Sequence, residues 1–183
     1  MAKKIGAIVS LSIIGILIIA TIVLANIKIN YSVECANPNS IWILYNSNDA
    51  NKERAVTNES DANKIVDYIK KASRENALTA LFNGSLNKEA KLVLASSTGL
   101  TVPTTTGFYV IYSYDNTQTT KDGNNNNVSY NELVYTVNDV EGKTVVKVYV
   151  IHGTSPMSYT HYYELEADFS DLYDFLVEKE YNV

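Results

Sequence analysis

From residue 5 to residue 25 the chain reads IGAIVSLSIIGILIIATIVLA, 21 positions without a charge. Ser10, Ser12 and Thr21 are its only polar side chains, and their hydroxyls can bond back to carbonyls one turn earlier. At about 1.5 Å of rise per residue, a helix of this length spans about 31 Å, close to the hydrocarbon thickness of a bilayer. The pattern predicts a single transmembrane helix over residues 5–25. Residues 1–4 are then a cytoplasmic stub, 26–40 a spacer in which Pro38 marks a turn, and 41–183 one extracytoplasmic domain.

Beyond the spacer the pattern changes. Residues 41–45, IWILY, form a short β-branched and aromatic run that predicts a strand, closed by the polar stretch 46–54. Ala62, Ile65, Val66, Ile69 and Ala72 then recur at spacings of three and four, which predicts a helix with one apolar stripe. Thr57 is its expected N-cap, Glu59 sits where the helix dipole favours an acid, and Asp61, Lys64, Asp67, Lys70 and Lys71 form the polar side. Residues 76–106 give conflicting signals, with Leu92–Ala95 readable as strand or helix, and are expected to be irregular with one short strand.

Four segments of strand composition follow, at 107–114, 130–138, 143–152 and 157–166. Short connections at 139–142 and 153–156 make them an antiparallel meander, and Val146, Val148 and Val150 alternate with Lys147 so that one side faces a core. Residues 115–128, containing KDGNNNN, are expected to be a mobile hairpin tip. A short helix over 170–179, capped by Ser170, closes the chain. The order predicts an α+β fold: an antiparallel meander packed by one main helix and a short C-terminal helix.

Charge fixes orientation. Lys3 and Lys4 precede the apolar segment and Lys28 follows it, so the positive-inside bias puts the N-terminus in the cytoplasm and the domain outside. A secretory signal has a shorter apolar core, which favours a retained signal anchor; cleavage after Val23-Leu24-Ala25, giving a secreted domain, is the alternative. Setting Lys3 and Lys4 aside leaves 13 basic against 20 acidic residues, a net charge of −7 that disfavours nucleic acid as a partner. With Cys35 as the lone cysteine, no internal disulfide can form.

Catalytic patterns do not assemble. His152 and His161 could approach across a hairpin, with Glu164 or Asp168 nearby, but zinc wants three or four ligands at defined spacing. Cys35 has no base fixed near it, and neither a serine elbow nor a phosphate-cradling glycine loop is present. Asp122 to Asn127 lacks the alternating acids of a calcium loop and reads as turn chemistry. No cofactor and no metal are expected. Tyrosine stands out: 14 in the chain, nine of them from Tyr109 to Tyr163. It offers large amphipathic contact area at low entropy cost, and it is also a good strand former. Tyr109, Tyr149 and Tyr162 are the candidates for an exposed binding patch.

The expectation is a membrane-anchored extracytoplasmic binding domain without catalytic activity, held to lipid through residues 5–25 and engaging a protein or envelope polymer. The alternative is a structural subunit of an envelope or pilin-like filament whose apolar helix packs against other copies. Pilin helices typically carry a glutamate near the mature start, whereas no acid here precedes Glu34.

Overall fold

The computed structural model describes residues 2–30, 36–47, 51–83, 92–94, 100–101, 106–138, 143–151 and 158–183. In chain order the first elements are α1 (Ala2–Asn26), β1 (Lys28–Asn30), β2 (Ser40–Asn46), β3 (Asn51–Ala55), α2 (Glu59–Lys71), β4 (Ser73–Asn76) and α3 (Ala77–Asn83). There follow β5 (Leu92–Leu94), β6 (Leu100–Thr101), β7 (Gly107–Lys121), β8 (Asn127–Asn138), β9 (Lys143–Ile151), β10 (Ser158–Tyr159), β11 (His161–Asp168) and α4 (Ser170–Glu178). The fold is α+β, with an antiparallel sheet and several helices.

Two compact units divide the chain, one made of Met1–Asn30 with Ser73–Lys88, the other of Tyr31–Ala72 with Glu89–Val183. In the first, α1 is the long apolar helix. Most of its described side chains, from residue 10 onward, are exposed around the circumference: Leu11 and Ile18 on one side and Ile13 and Ile16 on the other are each more than half exposed. Among the described residues no helix is long and apolar enough to cross a membrane, so the crossing remains a sequence expectation. β1 pairs antiparallel with β4, and α3 lies against α1. Two sequence expectations change here. The spacer contains a strand, and the apolar run 78–82, inside the stretch expected to be irregular, is helical.

The second unit carries the main sheet, in which β11, β9, β8, β7, β2 and β3 are successive antiparallel neighbours. The four-strand meander expected from the sequence is β7-β8-β9-β11. β3 is an addition: the segment NKERA, taken as loop, pairs residue by residue with β2 from Trp42↔Ala55 to Asn46↔Asn51. An edge strand of this kind needs backbone pairing and no apolar side chains, and its charges discourage further pairing.

Alternation along β7 sorts the core into two faces. Phe108, Val110 and Tyr112 join Ile41, Ile43, Leu133, Tyr135 and Tyr163 on one side, under Ile65 and Ile69 of α2 and Leu172, Phe175 and Leu176 of α4. Tyr109 and Ile111 join Val134 and Tyr159 in a smaller cluster on the other. Aromatic edges interlock in the larger core: Tyr112 meets Tyr135 at 5.0 Å and Tyr114 meets Tyr130 at 5.8 Å, both edge-on. Between α2 and α4, Tyr68 stacks near Phe175 at 5.6 Å, and Asp61 forms an ion pair with Lys179 at 3.1 Å. Lys64 and Lys179 both stand over the Phe175 ring. Part of the expected polar side of α2 therefore binds α4.

Helix starts differ from expectation by one residue. Asn58, not Thr57, caps α2: its extended backbone lets Oδ1 accept from the amides of Ser60 at 2.9 Å and Asp61 at 3.2 Å. For α4 the cap position is Phe169, buried in the core, and Asp168 Oδ1 supplies the acceptor for the Ser170 amide and hydroxyl.

Most of the expected hairpin tip is strand, since β7 runs to Lys121 and β8 begins at Asn127. Asp122 organises the remaining turn, accepting from the amides of Asn124 and Asn126 and from the Asn126 side chain. Asn125 takes the left-handed conformation, φ 67°, that asparagine tolerates. These bonds, led by the Asn126 side chain, hold the Asp122 carboxyl below its ordinary range. Behind the tip, Val128 and Tyr130 are buried.

Candidate functional site

A cleft of about 440 Å³ opens in the second unit between the segment leading into β2 and the exposed flank of α2. Its size lies within the range of small-molecule and peptide-side-chain sites. Ile41, Val56, Ala62 and Val66 give it an apolar floor; Asn37, Asn39, Asn63, Asp67 and Lys70 give it a polar rim.

The wall at residues 36–40 is fastened to β7. The Asn39 amide donates to Ser113 O at 2.9 Å, its Oδ1 accepts from the Asp115 amide at 3.1 Å, and the Tyr114 hydroxyl donates to Ala36 O at 3.0 Å. On the facing side, the helical period of α2 places Asn63, Val66, Asp67 and Lys70 along one strip while Ile65 and Ile69 enter the core. Lys70 Nζ donates to Asn37 Oδ1 at 2.8 Å across the rim, and Asp67 is 3.8 Å from Lys71. Side-chain amides offer both donors and acceptors, so the rim suits hydroxyls, amides and carbonyls of a polar ligand. Asp67 and Lys70 are its ionisable members.

The expected tyrosine patch does not form as drawn. Tyr109 is 1% exposed in the second-face cluster, closed off by packing, and is corrected from surface contact to core. Tyr162 is half-buried and meets Tyr159 edge-on at 6.1 Å. In register Tyr149 lies between Val134 and Tyr162, and its side chain is outside the described set. Trp42, 39% exposed, is opposite Ile111 in the same register row and was not singled out from sequence.

Of the histidines, His152 lies outside the described residues, as does Cys35. His161 Nδ1 is 3.0 Å from Thr160 Oγ1; burial lowers its pKa and Asp122 works weakly against that. Among the described residues no group of three or more His, Cys, Asp or Glu could hold a metal ion. Glu132 has an unusual environment. Burial pushes its carboxyl above the ordinary range, Ser113 Oγ at 3.4 Å from Oε1 opposes this, and Glu53 adds repulsion. Its buried Oε2 has no hydrogen-bond partner among the described residues. Compared with known families, curated proteins and solved structures, the chain matches none.

Proposed function

We propose that this protein is a membrane-anchored, extracytoplasmic interaction domain without catalytic activity. α1 lies in the bilayer with the N-terminus in the cytoplasm, and the sheet domain outside engages a protein or envelope polymer through the cleft beside α2. The supporting observation is the surface of α1. Large apolar side chains exposed on every side, from Leu11 through Val23, are unfavourable in water and need an apolar surround. The uncharged 21-residue run reaches bilayer length, and the lysine placement sets its direction. At the cleft, a rim of asparagine amides over an apolar floor fits a partially polar chain such as a peptide or glycan.

Three measurements test this reading on the full chain, in intact cells and in membranes prepared from them. Added protease should digest the sheet domain, and alkaline carbonate should leave the chain in the membrane fraction. Protection until lysis overturns the orientation, and release by carbonate overturns the anchor. Cross-linked partners captured from the envelope should be lost from the Asn63→Ala/Lys70→Ala variant, and equal capture by that variant removes the cleft from the proposal.

A further inference from the structure

The short helix α3 has a composition and a placement that the anchor alone does not explain. Its seven residues, ALTALFN, include no charge. Ala77 and Ala80, three positions apart and therefore on one side, are buried, and small side chains there let α3 lie close to α1. The Ala77 amide donates to Ile27 O at 2.8 Å, tying the first turn of α3 to the residue just after α1 ends. Leu81, one turn after Ala77 and so beside that contact, is 50% exposed, and Phe82, on the opposite side of the helix, is 81% exposed, the most exposed large apolar side chain among the described residues. Val23 and Ile27 at the end of α1 are each 49% exposed, so the apolar surface of α1 continues onto α3.

We propose that α3 is a lipid-contacting foot: Leu81 and Phe82 enter the interfacial zone of the bilayer beside the emerging end of α1. This rests on the membrane reading given above. Continuity selects the occupant, because a bilayer that surrounds α1 reaches the level of Ile27, where α3 is fastened. A helix of seven residues is about 10 Å long, and an apolar side chain at such a boundary needs to enter only about 5–10 Å. Leucine and phenylalanine are suited to that depth, and no charge in α3 resists it. The foot would fix how the chain leaves the membrane, since β1 and β4, paired antiparallel, connect to the same two helices.

Tryptophan fluorescence in vesicles tests the proposal on the full chain. Trp42→Phe removes the native fluorophore, and single reporters are then placed by Phe82→Trp, Leu81→Trp, Leu17→Trp in mid-α1, and Thr117→Trp at an exposed position in the C-terminal half of β7. Each is reconstituted in phosphatidylcholine with brominated acyl chains. The proposal expects blue-shifted emission and strong quenching at positions 81, 82 and 17 and little quenching at 117. Quenching at 17 but at neither 81 nor 82 overturns the foot and leaves the anchor standing. Quenching at none of them overturns both. A blue shift at 82 without bromine quenching, growing with the protein-to-lipid ratio, assigns the patch to a second copy and also overturns the proposal.

Discussion

Shortening Ile65 or Ile69 of α2 to alanine probes the contact on which the second unit depends. Ile65 is 0% and Ile69 2% exposed, and both sit in the cluster that joins α2 to the sheet and α4. Each change removes three buried carbons, at about 0.8 kcal/mol apiece, or roughly 2.4 kcal/mol of transfer free energy. An unrelaxed cavity adds to this, bringing the expected loss to about 3–4 kcal/mol, inside the ~2–5 kcal/mol range for such truncations. Against a total stability of ~5–15 kcal/mol that is a large fraction, equivalent to a melting-temperature drop of roughly 10–15 °C. Lys71→Ala is the control, since its side chain is 77% exposed and its ion pair with Asp67 spans 3.8 Å. It should stay within about 0.5 kcal/mol of the parent. Lys64→Ala is not a control, because Lys64 stands 5.6 Å from the Phe175 ring centroid and its loss removes a contact with α4. The assay is urea unfolding of the full chain in mild detergent, followed by near-ultraviolet circular dichroism. If Ile65→Ala and Ile69→Ala match Lys71→Ala, α2 does not close the core and the packing argument is wrong.

Three further outcomes follow from local chemistry. Because Glu132 has a raised pKa in the folded state, the fold holds its proton more tightly than the unfolded chain, so its contribution falls as pH rises from about 4.5. Glu132→Gln should therefore raise the urea midpoint at pH 7 and converge with the parent below pH ~4; a midpoint lowered at pH 7 but not below pH ~4 would show the carboxylate to be stabilising. Asn58→Ala should lower stability by about 1 kcal/mol through loss of its two cap bonds, while Thr57→Ala should be near neutral in the same titration. Asp122→Ala should accelerate hydrogen exchange of the Asn124 and Asn126 amides, measured by mass spectrometry, with little change at β2. Unchanged exchange would mean that backbone pairing alone holds the tip.

Those elements whose side chains carry the pattern were legible in the sequence. The stripe Ile65, Val66, Ile69 announces α2, and dense β-branched and aromatic residues announce β7, β8, β9 and β11. Elements defined by backbone partners were not. NKERA has no strand signal of its own and becomes β3 only because β2 presents a free ladder to it. Residues 78–82 are too short for periodicity to separate helix from strand, and contact with α1 decides the outcome. The asparagine run after Asp122 resembles loop composition, yet one carboxylate accepting three bonds makes it a tight turn between long strands. The cleft was hidden for a related reason. Its walls, residues 37–41 and 62–70, are apart in sequence, and nothing local reveals that β7 clamps the first of them.

The tyrosines connect these two kinds of information. Their abundance suggested an exposed binding patch, but Tyr109, Tyr112, Tyr114, Tyr130, Tyr135, Tyr159 and Tyr163 are all buried. Ring area accounts for their place in the core, where edge-on pairs such as Tyr112–Tyr135 fill the space under α2 and α4. Phenylalanine would fill much of that space equally well, so at Tyr114 the hydroxyl has to be explained separately. Tyr114 packs against Tyr130 while its hydroxyl reaches out to Ala36 O, immediately before the cleft wall. One side chain thus fixes a surface segment to the interior, together with the two bonds that Asn39 makes to β7. A rim held this way loses little freedom when a ligand arrives, which favours binding without any new contact. In the binding reading proposed above, Tyr114 would contribute to recognition from beneath the surface, by fastening the wall of the cleft to β7.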